Sequence, residues 1–349
     1  MYTLLISLIV FGIIIFVHEF GHFGVAKLTG VRVEEFSLGM GPPLFKHKKG
    51  ETLYSLRVLP LGGFCKMTGE MDEEEEPSLD PQNFNNKPWG ARSAIIAAGS
   101  AMNFLLGALI FVLMFSIVGL PTDYTNQIGE VIPEGVAAKA GLLTGDEIIE
   151  INGQTINSWQ EITTIIHSGN GQALNLLVKR DEQLLRVEVV PEFDVENGVY
   201  LIGIMPQEPI LERMPLLAGI SQGFGQTYEI TREMIRQLFL LITGQVSTDG
   251  VAGPVGIIKI IGESARLGWI NVAYLTAIIS INLGLINLLP IPALDGGRLF
   301  FLIIEALRGG KKIEPEKENF VHFLGFALLM LLMVFITYQD IIRWRTGGF

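Results

Sequence analysis

From Tyr2 to Val17 the chain carries no charged residue, and after a short polar interruption the apolar run resumes as far as Lys27. Wound as a helix at about 1.5 Å per residue, the stretch is roughly 39 Å long, enough to cross a bilayer. No basic segment precedes it and no small-residue cleavage site lies inside it, so the pattern predicts a retained span over about 2–27 rather than a secretory leader. Residues 93–120 predict a second span. Its Gly99, Ser100, Ala101 and Gly107 let neighbouring helices approach closely, and Asn103, its one strongly hydrogen-bonding side chain, predicts a bridge to another helix. Residues 268–307 predict a third span broken at Pro290 and Pro292, where two backbone donors are missing and φ is fixed. A fourth is predicted over 319–342, entered through His322, read as an interfacial residue.

Between the second and third spans the pattern changes. Residues 124–207 alternate as short strands with a helix near Trp159 to His167 and glycine turns at Gly141, Gly145 and Gly153, which predicts a water-exposed domain. Residues 208–266 read as an amphipathic linker, in which Phe224, Tyr228, Ile230, Met234, Leu238 and Phe239 recur at helical spacing among glutamate and arginine, fitting a helix on the membrane surface. Earlier, about 52–68 alternates through Tyr54, Leu56 and Val58, turns at Pro60-Leu61-Gly62-Gly63 and returns through Phe64-Cys65-Lys66-Met67, a hairpin whose edge suits pairing with an extended peptide. The predicted fold class is an α-helical polytopic membrane protein of about four transmembrane helices, with an inserted mixed α+β domain and a membrane-associated β-hairpin. Its divisions are 1–120, 124–207, 208–266 and 267–349.

Composition agrees: 49% apolar and 17% charged residues are too few charges for a soluble enzyme and too many for a pure channel. A single cysteine, Cys65, excludes an intrachain disulfide. The net charge of -11 disfavours a nucleic-acid partner, and much of it comes from the run Asp72 to Glu76, read as a solvated loop. Lys27, Arg32, Lys46, Lys48, Lys49, Arg57 and Lys66 follow the first span, and Arg308, Lys311, Lys312 and Lys317 join the third to the fourth. The excess of basic residues predicts that these loops are cytoplasmic and that the termini and the inserted domain lie outside. Arg343 and Arg345 pull the other way.

The chemistry begins at His18-Glu19-Phe20-Gly21-His22. Residues four apart share a helix face, so two imidazoles can meet one metal, with Glu19 near enough to reach a water there. Each ionisable side chain inside a span costs on the order of 2.5–3.5 kcal/mol, so a polar cluster that merely joins helices is the weaker reading. A catalytic zinc takes three protein ligands, and Asp295 is the leading third: it is the only acid between Gly268 and Ile304 and sits between the proline break and Gly296-Gly297. The competing reading is an ion pair of Asp295 with Arg298; His47, His167 and Glu305 are weaker ligands. Such a donor set also accepts iron, cobalt or nickel.

The first-span motif together with Asn287-Leu288-Leu289-Pro290-Ile291-Pro292-Ala293-Leu294-Asp295-Gly296 resembles the site-2 proteases, a family of intramembrane zinc proteases, over essentially the whole chain, and most resembles the bacterial branch that regulates sigma-E. The resemblance implies Zn2+ bound by His18, His22 and Asp295, with Glu19 as the general base of peptide hydrolysis. It implies substrate contacts at Asn282 and Asn287, which capping or interhelical hydrogen bonds would explain equally well, and a membrane-reentrant hairpin presenting Gly62, Gly63 and Phe64, where a solvated hairpin fits as well. Gly141-Leu142-Leu143-Thr144-Gly145-Asp146 and the residues to Gly153 are similar to a circularly permuted PDZ domain, with Tyr200 to Gly203 as its peptide loop, serving either to capture a chain end or as a size filter. The implied partners are single-span membrane proteins such as anti-sigma factors, an upstream site-1-type protease that clips them first, and membrane lipid. Two other classes compete: a non-catalytic adaptor, which needs a fourth protein ligand, and a metal transporter, which needs inverted repeats the sequence lacks.

Overall fold

A computed structural model describes residues 2–70, 79–194, 198–207, 209–246, 252–311 and 313–346. The acidic run Asp72 to Glu76 and the loop residue Lys312 lie outside the described residues. The chain forms two compact units, Met1–Val112 with Gly219–Phe349, and Leu113–Ala218 between them.

The first unit opens with α1 (Tyr2–Leu28), β1 (Val33–Lys49), β2 (Thr52–Met67) and α2 (Trp89–Leu113). The inserted unit runs β3 (Leu120–Tyr124), β4 (Ile128–Val131), α3 (Val136–Lys139), β5 (Glu147–Ile151), β6 (Gln154–Thr155), α4 (Trp159–Ser168), β7 (Leu174–Arg180), β8 (Gln183–Val189), β9 (Glu192–Asp194), β10 (Val199–Leu201), β11 (Ile204–Pro206) and β12 (Pro209–Glu212). The chain then continues as α5 (Leu216–Ile242), α6 (Pro254–Leu267), α7 (Trp269–Leu288), α8 (Asp295–Leu307) and α9 (Pro315–Thr346).

Among the described residues four helices are long and apolar enough to cross a membrane: Tyr2–Leu28, Trp89–Val118, Trp269–Leu288 and Glu316–Arg343. The expected third span over 268–307 is two helices. With no N–H on Pro290 or Pro292 and Ala293 at φ 77°, the helix cannot continue through this stretch, and α8, with 13 residues, is about 20 Å long, too short to cross alone. Its polar and small residues turn inward instead. Arg92 of α2 grips Glu305 of α8 with two hydrogen bonds, of 3.0 and 2.6 Å, and Trp89 Nε1 donates to the Leu302 carbonyl at 2.9 Å. Both members of the ion pair are buried, and the paired geometry satisfies each charge where water does not. At the far end, the buried Asp340 of α9 accepts from the N–H groups of Gly253 and Gly256, at 3.1 and 2.8 Å, so a carboxylate on one helix caps the N-terminus of another.

A hairpin forms, but its arms are β1 and β2 and its turn is at Gly50-Glu51, not at the expected Pro60 to Gly63. The two halves of β2 do not pair with each other. Residues 35–38 of β1 lie between them, opposite Leu53 to Leu56 on one side and Lys66 to Gly63 on the other, while Phe45 to Lys49 pair with Leu56 to Thr52. The stretch through Gly62, at φ 79°, therefore carries β2 from one side of β1 to the other. Val33, Phe36, Cys65 and Met67 face a core shared with Ala26 of α1, Ile95 and Ile96 of α2 and Leu302 of α8. That burial fixes the register.

In the inserted unit β5, β6, β7 and β8 form one antiparallel sheet in the order β6-β5-β7-β8, and α4 buries Trp159, Ile162 and Ile166 in a core with Ile148, Ile151, Leu176 and Val178. β3 pairs with β12, and β4 with β11. Asp146, with 1% of its side chain exposed, accepts from Arg180 Nε and Nη2, both at 2.7 Å, and from the Leu143 N–H at 2.9 Å. Burial pushes this carboxyl up, but Arg180 and the Leu143 N–H outweigh it and hold the group below the usual aspartate range. A depressed folded value gives stability that is present above the ordinary pKa and lost as pH falls through the folded one. Asp146→Asn is expected to cost about 1–3 kcal/mol at neutral pH. The gap to wild type should close in acid below about pH 3.9, read by hydrogen exchange of the amides of β4 to β8 in the full-length protein.

Candidate metal centre

His18 and His22 lie one turn apart on α1, both 8% exposed and turned toward α2, because the first helix buries the face carrying Val10, Ile14, His18, Gly21 and His22. Asp295 is the first residue of α8, delivered by the turn through Leu289 to Leu294. The three ligand atoms form a nearly equilateral triangle: His18 Nε2 to His22 Nε2 is 3.2 Å, and Asp295 Oδ2 is 3.2 Å from the first and 3.3 Å from the second. A tetrahedral ion with bonds of roughly 2.0–2.1 Å separates its ligands by about 3.3 Å. The spacing fits zinc.

Proton accounting points the same way. His22 Nδ1 lies 2.9 Å from the Ile95 carbonyl, which can only accept, so Nδ1 carries the hydrogen and Nε2 presents a lone pair in the neutral ring. Asp295 Oδ2 is buried with no hydrogen bond. Lone pairs crowded this closely in an apolar bundle repel one another unless a cation sits among them. Among the described residues the cluster contains these three ligands and no fourth, the number that suits a catalytic rather than a closed structural site.

The helices meet closely enough to make this possible. A Cβ added to Gly21 would stand 2.3 Å from the Ala98 carbonyl oxygen, and one added to Gly99 would stand 2.3 Å from His22 Nε2 and 2.8 Å from His18 Cε1. Gly99 is therefore the floor on which both imidazoles rest. Asn103, one turn further along α2 and fully buried, reaches His18 Nδ1 at 3.2 Å, the interhelical bridge expected of it. For His18 to offer a lone pair at Nε2, Nδ1 must donate. A half-turn of the Asn103 amide puts Oδ1 opposite that hydrogen and satisfies an oxygen otherwise buried without a partner. Asn103 thus orients His18 as the Ile95 carbonyl orients His22, a role the sequence showed only as an isolated amide in an apolar span.

Glu19 is half-buried on α1, and its Cγ lies 2.9 Å from where a Cβ on Gly63 would stand, so the second half of β2 passes directly over it. Gly62, at φ 79°, is covered by Met40, and Phe64 stacks under the Arg57 guanidinium at 4.9 Å. Asn282 is exposed on α7, and Asn287 is half-buried one residue before that helix ends; neither joins the triangle, and an exposed mid-helix position excludes capping for Asn282. In the inserted unit Tyr200 pairs with Phe193 on β9 and packs on Gly171, and the Gly203 carbonyl accepts from the Ile132 N–H at 2.9 Å.

The competing assignments find other partners. Arg298 pairs with Glu70 and not with Asp295. Glu305 is held by Arg92, His47 sits on β1 opposite Tyr54, and His167 is in the last turn of α4. His322, read as an interfacial residue, accepts at Nδ1 from the Ala293 N–H at 2.8 Å.

The profile of peptidase family M50 matches residues 6–332. Zinc metalloprotease RasP of Geobacillus kaustophilus is 37% identical, with 96% of each chain covered. The regulator of sigma-W protease RasP of Bacillus subtilis is 34% identical, with 98% of each covered. The solved PDZ domain of an SdrC-like protein from Listeria monocytogenes matches 24% of this chain and 90% of its own at 28% identity, with a TM-score of 0.22. With the family profile running from near the start of α1 into α9 and relatives above 30% identity along almost their whole length, the chain belongs to peptidase family M50, the site-2 proteases, and is an intramembrane zinc metalloprotease.

Proposed function

We propose that this protease cuts a peptide bond in or beside the membrane segment of a single-span protein that an upstream, site-1-type protease has already shortened, with a membrane-bound anti-sigma factor as the substrate class. The observation that carries the site assignment is the triangle of His18 Nε2, His22 Nε2 and Asp295 Oδ2, 3.2–3.3 Å on a side, beside Glu19. The name of the Bacillus subtilis relative, a regulator of sigma-W protease, supports the substrate class.

In this reading His18 and His22 hold zinc through Nε2, Asp295 through its carboxylate, and Glu19 is the general base. When bound, zinc polarises the scissile carbonyl and lowers the energy needed to ionise water near neutral pH. Glu19 takes the proton of the attacking water and returns it to the leaving nitrogen. Asn103 and the Ile95 carbonyl keep both imidazoles turned the right way throughout.

A membrane helix hides its carbonyls in its own hydrogen bonds, so the substrate must be drawn out before attack. Gly63 to Lys66 pair with β1 on one side only and form an outer strand running past Glu19. A peptide added along Gly62, Gly63 and Phe64 would lie extended over the base, its carbonyls freed. Asn282 and Asn287 supply further contacts from α7. By the distribution of basic residues the site opens toward the cytoplasm, and the inserted PDZ-like unit, with its loop at Tyr200 and Gly203, lies on the extracytoplasmic side as a size filter.

Purified wild type should hold close to one zinc per chain by mass spectrometry. His22→Ala, Asp295→Ala and Gly99→Ala should each lose most of it, the last because its methyl would stand 2.3 Å from His22 Nε2. Full zinc in Asp295→Ala would remove the carboxylate from the ligand set. Glu19→Gln should keep its zinc while cleavage of a reconstituted substrate slows on the order of 10²–10⁴-fold; undiminished turnover would assign the base elsewhere. Deleting residues 125–207 should let untrimmed substrate be cut, and continued refusal of it would dispose of the filter.

A further inference from the structure

The last helix touches the turn that carries Asp295 at two places. Gly325 of α9 is buried against Pro292, where an added Cβ would stand 2.4 Å from the proline Cβ and 2.6 Å from its carbonyl oxygen. One turn earlier, on the same face, His322 Nδ1 accepts from the Ala293 N–H at 2.8 Å. Ala293 is the one residue of this turn with positive φ, 77°, a conformation that an alanine holds only when its surroundings impose it.

Donor accounting shows why the contact matters. Residues 289–294 contain two prolines with no N–H. The Leu289 N–H bonds to the Ile286 carbonyl, that of Ile291 to Leu289, and that of Leu294 to Ile291. The Ala293 N–H has no backbone acceptor of this kind, and His322 supplies one. Ala293 lies on the exposed surface of the turn, so in contact with lipid its N–H has no acceptor other than His322, and a rearrangement there is passed through Leu294 to Asp295, two positions on. Because Nδ1 accepts, the imidazole hydrogen sits on Nε2, which faces Glu318 Oε1 at 3.9 Å while the ring packs against Phe301 at 5.4 Å between centroids. Phe301 packs on the ring, and Nε2 itself makes no hydrogen bond.

We propose that His322 is a positioning residue for the metal centre: by accepting the Ala293 N–H it holds the turn in its left-handed conformation and so sets the Asp295 carboxylate against His18 and His22. It touches neither zinc nor substrate and acts through its hydrogen bond with Ala293. The inference rests on Asp295 being a ligand.

The test is zinc competition against a chromogenic chelator, using the full-length protein purified in detergent. His322→Phe keeps the ring and removes the acceptor, and it should weaken zinc binding about tenfold or more, the usual effect of losing a residue behind a metal ligand. His322→Asn, whose Oδ1 can stand where Nδ1 stood, should bind close to wild type. Adding Ala293→Gly to His322→Phe should recover most of the loss, since glycine adopts positive φ unaided; a general packing defect would gain nothing from that change. Wild-type affinity in His322→Phe would overturn the proposal, and so would a loss that Ala293→Gly leaves untouched. Asp295→Ala separates the two levels: if it keeps zinc, the ligand assignment is what fails; if it loses zinc while His322→Phe does not, only the role of His322 falls.

Discussion

Holding two imidazole nitrogens and a carboxylate oxygen within 3.3 Å of one another inside an apolar bundle raises the free energy of the protein until a cation neutralises them. Much of the first unit can be understood as the means of enforcing that crowding. Gly21 and Gly99 remove the side chains that would keep α1 and α2 apart. The Arg92–Glu305 pair and the Trp89 bond to Leu302 fasten α8 to α2 at the end away from its ligand, and Asn103 and Ile95 dictate which nitrogen each histidine presents.

The break before α8 meets a second constraint, that backbone groups freed in hydrocarbon must be satisfied from within the protein. The broken helix at Pro290 and Pro292 frees backbone precisely where the chemistry needs a carboxylate on a short lead, and each donor in the break is answered by a carbonyl or by His322. Asp340 answers a similar need at the start of α6, which explains why glycine occupies position 253: a Cβ there would stand 2.7 Å from the Asp340 carboxylate.

How much of this was legible in the sequence depended on whether the signal was local. The uncharged runs, the proline break and the histidines one turn apart are patterns within a few residues, and periodicity exposes them. The partner of Arg298 was not legible, because helical spacing points to Asp295 while the structure brings Glu70 from the end of β2. β1 was missed because its basic residues were counted only as a charged loop, although Val33 and Phe36 face the core. β2 was read as folding on itself, since a glycine-rich turn between two alternating stretches is an ordinary hairpin signal; that β1 would come between the halves depends on contacts with α1 and α8 that no local rule contains. His322, a lone histidine near a helix end, has no local feature that connects it to a turn 29 residues earlier.

The pairing of Arg298 with Glu70 also bears on how the protein responds to its surroundings. With that guanidinium engaged elsewhere, the carboxylate at the head of α8 has, among the described residues, only the imidazoles of His18 and His22 as ionic partners. Zinc would then be a cross-link between the first helix and the eighth as well as a reagent.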